Sequence, residues 1–267
     1  KNKEWFFLKI SAVNFEPLMA LMFKRIVDFA KKAIQGEQLG QDAITDFLTV
    51  SFSSTDYIGH ALGPRSIELQ DTYLRLDKEL ETFFFFLDQN LGKDNYVFFL
   101  TADHGGAHNP DYLLGKKIPA GYWDANATLK RLNEGLAKKY NIQGVVLSFL
   151  NYQLYINHQA LLSSNLNYNA LKADIVDLLM QEPSVAWVDD LEHPIGNRLP
   201  QEVKSSVVNG FYKERSGVLQ LILKPAWFQL SHDKTGSIHG SWNPYDTHIP
   251  LIFIGPGIKK GTLERRV

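Results

Sequence analysis

The stretch Tyr96-Val-Phe-Phe-Leu-Thr-Ala-Asp103-His104-Gly105-Gly106 decides how this chain is read. Its apolar, β-prone first half reads as a strand buried on both faces, as in the interior of an α/β sheet. The run ends in a carboxylate and an imidazole side by side, followed by two glycines. Open α/β sheets bind ligands outside the carboxyl ends of their strands, so Asp103 and His104 stand at the chemically useful edge. Asp and His together suit a borderline divalent ion such as Zn²⁺. Taken alone, the dipeptide fits equally well an Asp that caps the next turn beside a surface histidine.

Two other segments shift that balance. Ile44-Thr-Asp-Phe-Leu-Thr-Val-Ser-Phe52 is a second β-rich run, followed by Ser53-Ser54-Thr55-Asp56-Tyr57-Ile58-Gly59-His60. A helical turn after Asp56 puts Asp56 and His60 on one face. Two strands that each end in Asp plus His favour metal over turn capping. Further on, Gly236-Ser-Ile-His239-Gly240-Ser-Trp-Asn-Pro244 precedes a third apolar run, Ile249 to Ile254. His239 lies in a Gly/Ser-rich loop, free to point into a cleft. A lone loop histidine is more often solvated, and this one matters because it completes a set. Asp56, His60 and His239 make three N/O ligands, the donor set of a catalytic zinc with an open position. Asp103 and His104 offer half of a second, adjacent site.

Four segments together resemble the alkaline phosphatase superfamily: Ser54-Thr55-Asp56-Tyr57-Ile58-Gly59-His60, Asp71-Thr-Tyr-Leu-Arg-Leu-Asp77, Leu100-Thr-Ala-Asp-His-Gly105, and His239-Gly-Ser-Trp-Asn-Pro-Tyr-Asp-Thr-His-Ile-Pro250. The chain is most similar to the zinc-dependent, phosphate-irrepressible bacterial alkaline phosphatases, near relatives of the nucleotide pyrophosphatase/phosphodiesterases. The resemblance covers most of residues 36 to 260. It implies that Asp56, His60 and His239 hold one zinc, that Asp103 and His104 help hold another, and that a complete site carries two Zn²⁺. It implies hydrolysis of phosphate monoesters on small phosphorylated substrates, in a periplasmic or secreted protein. A phosphodiesterase or nucleotide pyrophosphatase on the same scaffold is the alternative, as is a catalytically incomplete metal-binding fragment.

The resemblance also marks what to expect outside this chain. In the family an early Asp ligand, a Thr or Ser nucleophile, and Asn, Lys and Arg phosphate-binding groups all precede D-x-x-x-H. Only 55 residues precede Asp56 here, and they carry no such pattern. The expectation is therefore a C-terminal portion whose partner is the rest of the same polypeptide upstream. No catalytic nucleophile is assigned within it, and alone it is expected to be inactive.

Composition agrees with a large α/β unit. The chain has 267 residues, 45% apolar, with a net charge of -1 and no cysteine. That excludes thiolate metal sites and a Cys nucleophile, and gives no basic surface for nucleic acid or anionic membrane. No run approaches the roughly 18 apolar residues of a membrane span. The spacing predicts a short strand near Trp5 to Ile10 and an amphipathic helix over 16–34. A long helix follows after an N-cap at Ser66, burying Tyr73, Leu76, Leu80, Phe84 and Leu87. Strand, long helix, strand is a βαβ unit and predicts a mainly parallel sheet flanked by helices with a right-handed crossover. Asn109 to Ala120 reads as a loop, Ala125 to Tyr140 as a helix, and 142–194 as a small inserted α+β cap. The core is then 1–141 with 195–267. Weaker candidates are His108, for which a place behind the ligands or at the surface is the default, His248, read as supporting the ligands and as runner-up to His239, and Lys116, Lys117 and Arg65, for which a solvated surface role is the default. His158, His193 and His232 read as structural or exposed.

Overall fold

Residues 5–8, 17–162, 166–193, 199–229 and 236–264 are described by the computed structural model. In chain order the elements are β1 (Trp5–Leu8), α1 (Pro17–Gly36), β2 (Phe47–Val50), α2 (Ser54–Leu62), α3 (Ile67–Asn90) and β3 (Phe98–Thr101). Next come α4 (Pro110–Gly115), β4 (Gly121–Tyr122), α5 (Ala125–Tyr140), β5 (Val146–Leu150), β6 (Gln153–Ile156), α6 (His158–Leu162) and α7 (Tyr168–Leu179). The last are β7 (Val185–Asp190), α8 (Gln201–Gly210), β8 (Leu219–Leu223), β9 (Trp227–Phe228), α9 (Pro244–Thr247) and β10 (Leu251–Ile254). The chain packs as two compact units: 1–106 with 235–237 and 248–267, and 107–234 with 238–247.

In the first unit β1 pairs with β2 in parallel, and β10 pairs with β3 antiparallel, Leu251 opposite Thr101. The described ladders thus run in both directions. Helix α3 connects β2 to β3 as the βαβ pattern requires. Phe47 of β2 stacks on Phe99 of β3 at 5.9 Å, although no ladder joins those two strands among the described residues. The core lies under α1 and α3, where Val27, Ala30 and Ile34 meet Phe83 and Leu87. Helix α3 begins where its cap predicts, with Ser66 Oγ accepting from Leu69 N–H at 3.2 Å. Its buried stripe is rotated from the expected one. Leu69, Thr72, Phe83 and Leu87 are buried, Leu76, Leu80 and Phe84 are half-buried, and Tyr73 is exposed. Strand β3 is also barer than a two-face burial implies: residues alternate between half-buried and exposed, since α3 covers one side, Phe84 against Phe98.

The second unit is built on a four-stranded antiparallel sheet in the order β5-β6-β8-β7. A two-residue turn joins β5 to β6, with Asn151 and Tyr152 both at positive φ (50° and 59°), the geometry whose twist suits a tight hairpin. Helices α5 and α7 supply Leu132, Leu136, Leu171, Ile175 and Leu179 to one core with Val145, Leu154, Leu219 and Leu221. Asp124 caps α5, and its indole neighbour Trp123 is buried with its N–H donated to Thr128 Oγ1 at 3.0 Å.

Within the second unit, which begins at 107, α5 packs on β5, and β8 sits between β6 and β7. The segment expected as a loop, 109–120, contains the capped helix α4, with Asn109 Oδ1 accepting from Asp111 N–H. His232 lies outside the described residues.

Candidate metal centre

Helix α2 positions the first two donors. Asp56 sits in its first turn and His60 in its last, four residues apart, with Asp56 Oδ1 and His60 Nε2 3.3 Å apart. Ser54 and Ile58 occupy the buried side of the helix. Gly63, at φ 84°, closes the helix by donating its N–H to Gly59 O. The end of β3 brings in a third group: His104 Nε2 lies 3.6 Å from the same Asp56 oxygen.

Both imidazoles are oriented from behind. His60 Nδ1 lies 3.0 Å from Ser237 O, and His104 Nδ1 lies 2.8 Å from Gly105 O. An Nδ1–H donated to a carbonyl leaves Nε2 as the lone-pair atom and fixes the plane of the ring, the usual arrangement behind a metal-bound histidine. Nε2 of both rings then faces one carboxylate oxygen, and N/O donors gathered this closely fit a divalent ion.

The loop that carries His239 is pinned rather than free. Ser237 is buried, and its N–H donates to His60 O at 3.3 Å while its own O faces His60 Nδ1. Gly236 adopts φ 78° and lies against the backbone of His60 and Ala61, leaving no room for a side chain. Two residues further on, His239 completes the group: ligand atoms of Asp56, His60 and His239 all lie within 4.8 Å of one another. It is the one such cluster of three or more His, Asp or Glu among the described residues.

The remaining candidates separate from this group. Asp103 is 89% exposed at its side chain and approaches His104 at 3.7 Å, so these two do not by themselves build a second cluster among the described residues. His108 is exposed with its ring 5.4 Å from that of Tyr112, and Lys116 lies over the same ring. His248 and Arg65 are exposed. Sequence reasoning missed the parts that act through the backbone, namely the Ser237 carbonyl and the close approach at Gly236. It also passed over Asp246, buried in α9, whose Oδ2 accepts from both the N–H and the hydroxyl of Ser241 at 2.8 and 2.6 Å. A glycine directly before a Ser-x-His was the one available sign that the chain must come close to something there.

Among the described residues no helix is long and apolar enough to cross a membrane. Residues 13–248 match the family model described as type I phosphodiesterase / nucleotide pyrophosphatase. A protein of Myroides odoratus named calcium-transporting ATPase is 46% identical over 242 residues, covering 90% of this chain and 44% of the relative. Alkaline phosphatase PafA of Elizabethkingia meningoseptica is 42% identical over 235 residues, 88% of this chain and 43% of the relative. The crystal structure of wild-type alkaline phosphatase PafA superposes with a TM-score of 0.87 at 39% identity, covering 93% of this chain and 47% of that one. The chain thus spans somewhat less than half the length of the relatives it matches, and its fold is the α/β fold of the alkaline phosphatases. On this evidence the chain belongs to the type I phosphodiesterase / nucleotide pyrophosphatase family, within the alkaline phosphatase superfamily.

Proposed function

We propose that this chain contributes the Asp/His metal-binding part of a phosphoester hydrolase acting on phosphate monoesters. The observation that carries the reading is the convergence of Asp56, His60 and His239 from two distant parts of the sequence. Those residues would hold one Zn²⁺, with Asp103 and His104 contributing to a second. Zinc bound there supplies Lewis-acid stabilisation of the charge on phosphoryl oxygens. The chain's own part is positional: α2 sets Asp56 and His60 on one face, and the Ser237 and Gly105 carbonyls hold the ring planes of His60 and His104. Phosphoryl transfer asks little covalent work of a protein beyond placement and electrostatics, and a rigid donor set suits it. The attacking Thr or Ser is assigned outside these residues, which makes the chain inactive by itself.

A diesterase or pyrophosphatase reading rests on a separate observation, the family model the chain matches. Hydrolysis of an aryl phosphate against its aryl methyl ester, by the polypeptide that contains this chain, separates the two readings. The metal assignment is tested by chelator-competition titration of Zn²⁺ on Asp56→Ala and His239→Ala. Each is expected to lower affinity at least tenfold, and unchanged affinity in either removes that residue from the site. A periplasmic or secreted location is part of the same reading, and cell fractionation checks it.

A further inference from the structure

The loop after His239 holds a buried charge for which the zinc site gives no direct use. Asp246 is 5% exposed. Its Oδ2 takes two hydrogen bonds, both from Ser241, and its Oδ1 has no hydrogen-bond partner among the described residues. Among the described residues it makes no ion pair either. Burying a carboxylate on so little is costly, and the cost is tolerated where the geometry it enforces is needed. The Tyr152 phenol shares this environment: burial pushes it above its ordinary range and the Asp246 carboxylate adds to the rise.

What Asp246 enforces is the shape of 241–246. Ser241 Oγ, fixed by Asp246, accepts from Asn243 Nδ2–H at 3.1 Å. The same amide donates to Tyr245 Oη at 2.8 Å, and Tyr245 Oη accepts from Ala226 N–H at 3.1 Å, fixing the turn to the residues before β9. Asn243 O accepts the N–H groups of Asp246 and Thr247 at 2.9 and 3.1 Å. This knot begins one residue after Gly240, whose φ of 108° makes the bend out of His239. His239 is therefore held from both sides, by Ser237 against α2 and by Ser241 against Asp246.

We propose that Asp246 is a positioning residue for metal binding: by clamping Ser241 it fixes the direction of His239 and so sets the affinity of the zinc site. The inference rests on the assignment of His239 as a ligand. It is tested on the full chain by Zn²⁺ titration against a chromophoric chelator, well below the melting temperature of each variant. Asp246→Ala removes both acceptors and is expected to weaken zinc affinity about 10–100-fold, the usual effect of losing an outer-sphere partner. Asp246→Asn keeps an amide oxygen for Ser241 and is expected to stay within about threefold of the unaltered chain, although both variants melt earlier. Two results overturn the proposal: Asp246→Ala binding zinc as tightly as the unaltered chain, or both variants losing zinc in proportion to their fall in Tm. His239→Ala runs beside them. If it alone weakens binding, Asp246 has no part in it; if it leaves binding unchanged, the ligand assignment itself is refuted and the inference goes with it.

Discussion

Gly236→Ala isolates the joint on which the site depends. At φ 78° a side chain is strained whatever space surrounds it, and here there is none. A methyl group would overlap the His60 carbonyl oxygen and sit 2.7 and 2.8 Å from Ala61 C and O. All three are backbone atoms of α2, so no rotamer change relieves the contact. The loop must retreat, and the two hydrogen bonds between Ser237 and His60 open with it. Left-handed strain costs of order 1–3 kcal/mol. Two lost hydrogen bonds add about 1 kcal/mol each. A total near 3–4 kcal/mol corresponds to a fall in Tm of about 10 °C for a domain of this size. Freed of the Ser237 carbonyl, His60 loses its fixed ring plane, and zinc affinity should drop about 10–100-fold. Gly240→Ala is the control: its φ is also positive, but nothing lies within 4 Å of the added carbon. Melting curves and zinc titrations on both variants compare strain alone with strain plus overlap. If Gly236→Ala behaves no worse than Gly240→Ala in both measurements, the pinned-loop account is wrong.

Two further predictions concern the second unit. Lys172 is 5% exposed at its side chain, and its Nζ lies 2.7 Å from Asp190 and 2.8 Å from Glu192. Burial works against its charge, but the hydrogen bonds it donates to the two carboxylates carry its pKa above the ordinary value. Lys172→Met strands those carboxylates. Because they are about one-third exposed, the expected loss is about 2–3 kcal/mol, short of the 3–5 typical of a fully buried pair, and a urea melt with an unchanged midpoint would count against it. Asp189 is the reverse case: burial raises its pKa above the ordinary value, against an opposing backbone hydrogen bond from Asp190. A raised folded-state pKa means the folded chain holds the proton more tightly. Its contribution to stability therefore falls as pH climbs past the ordinary aspartate value near ~4. Asp189→Asn should raise Tm at pH 7 and lose that advantage as pH approaches about 4; a constant difference across that window would refute the assignment.

The parts of this molecule legible in the sequence are those written in local chemistry. The Ala125–Tyr140 pattern gives α5 its bounds, and Ser66 opens α3. Asp56 and His60 needed only helical spacing. What escaped depends on distant partners. Antiparallel pairing of β10 with β3 joins segments about 150 residues apart, and nothing in Leu251–Ile254 records its direction. Residues 121–122 and 227–228 are too short for periodicity to register, yet they form a parallel pair. Tyr73 follows the heptad-like stripe of α3 but is exposed. The Gly/Ser texture around His239 signals flexibility to a local reading. Its actual geometry comes from a carboxylate five residues beyond Ser241 and a carbonyl on another helix.

Strand β10 carries a practical consequence. Leu251, Ile252, Phe253 and Ile254 are each 45–50% exposed, so greasy side chains emerge above and below the ribbon alike. Among the described residues β3 is the one strand paired with it. A strand edge that no described residue pairs with, flanked by such side chains, is adhesive toward other extended polypeptide. Recombinant preparations should thus be handled dilute, and turbidity that vanishes with a lysine at Ile252 would trace the stickiness to this ribbon.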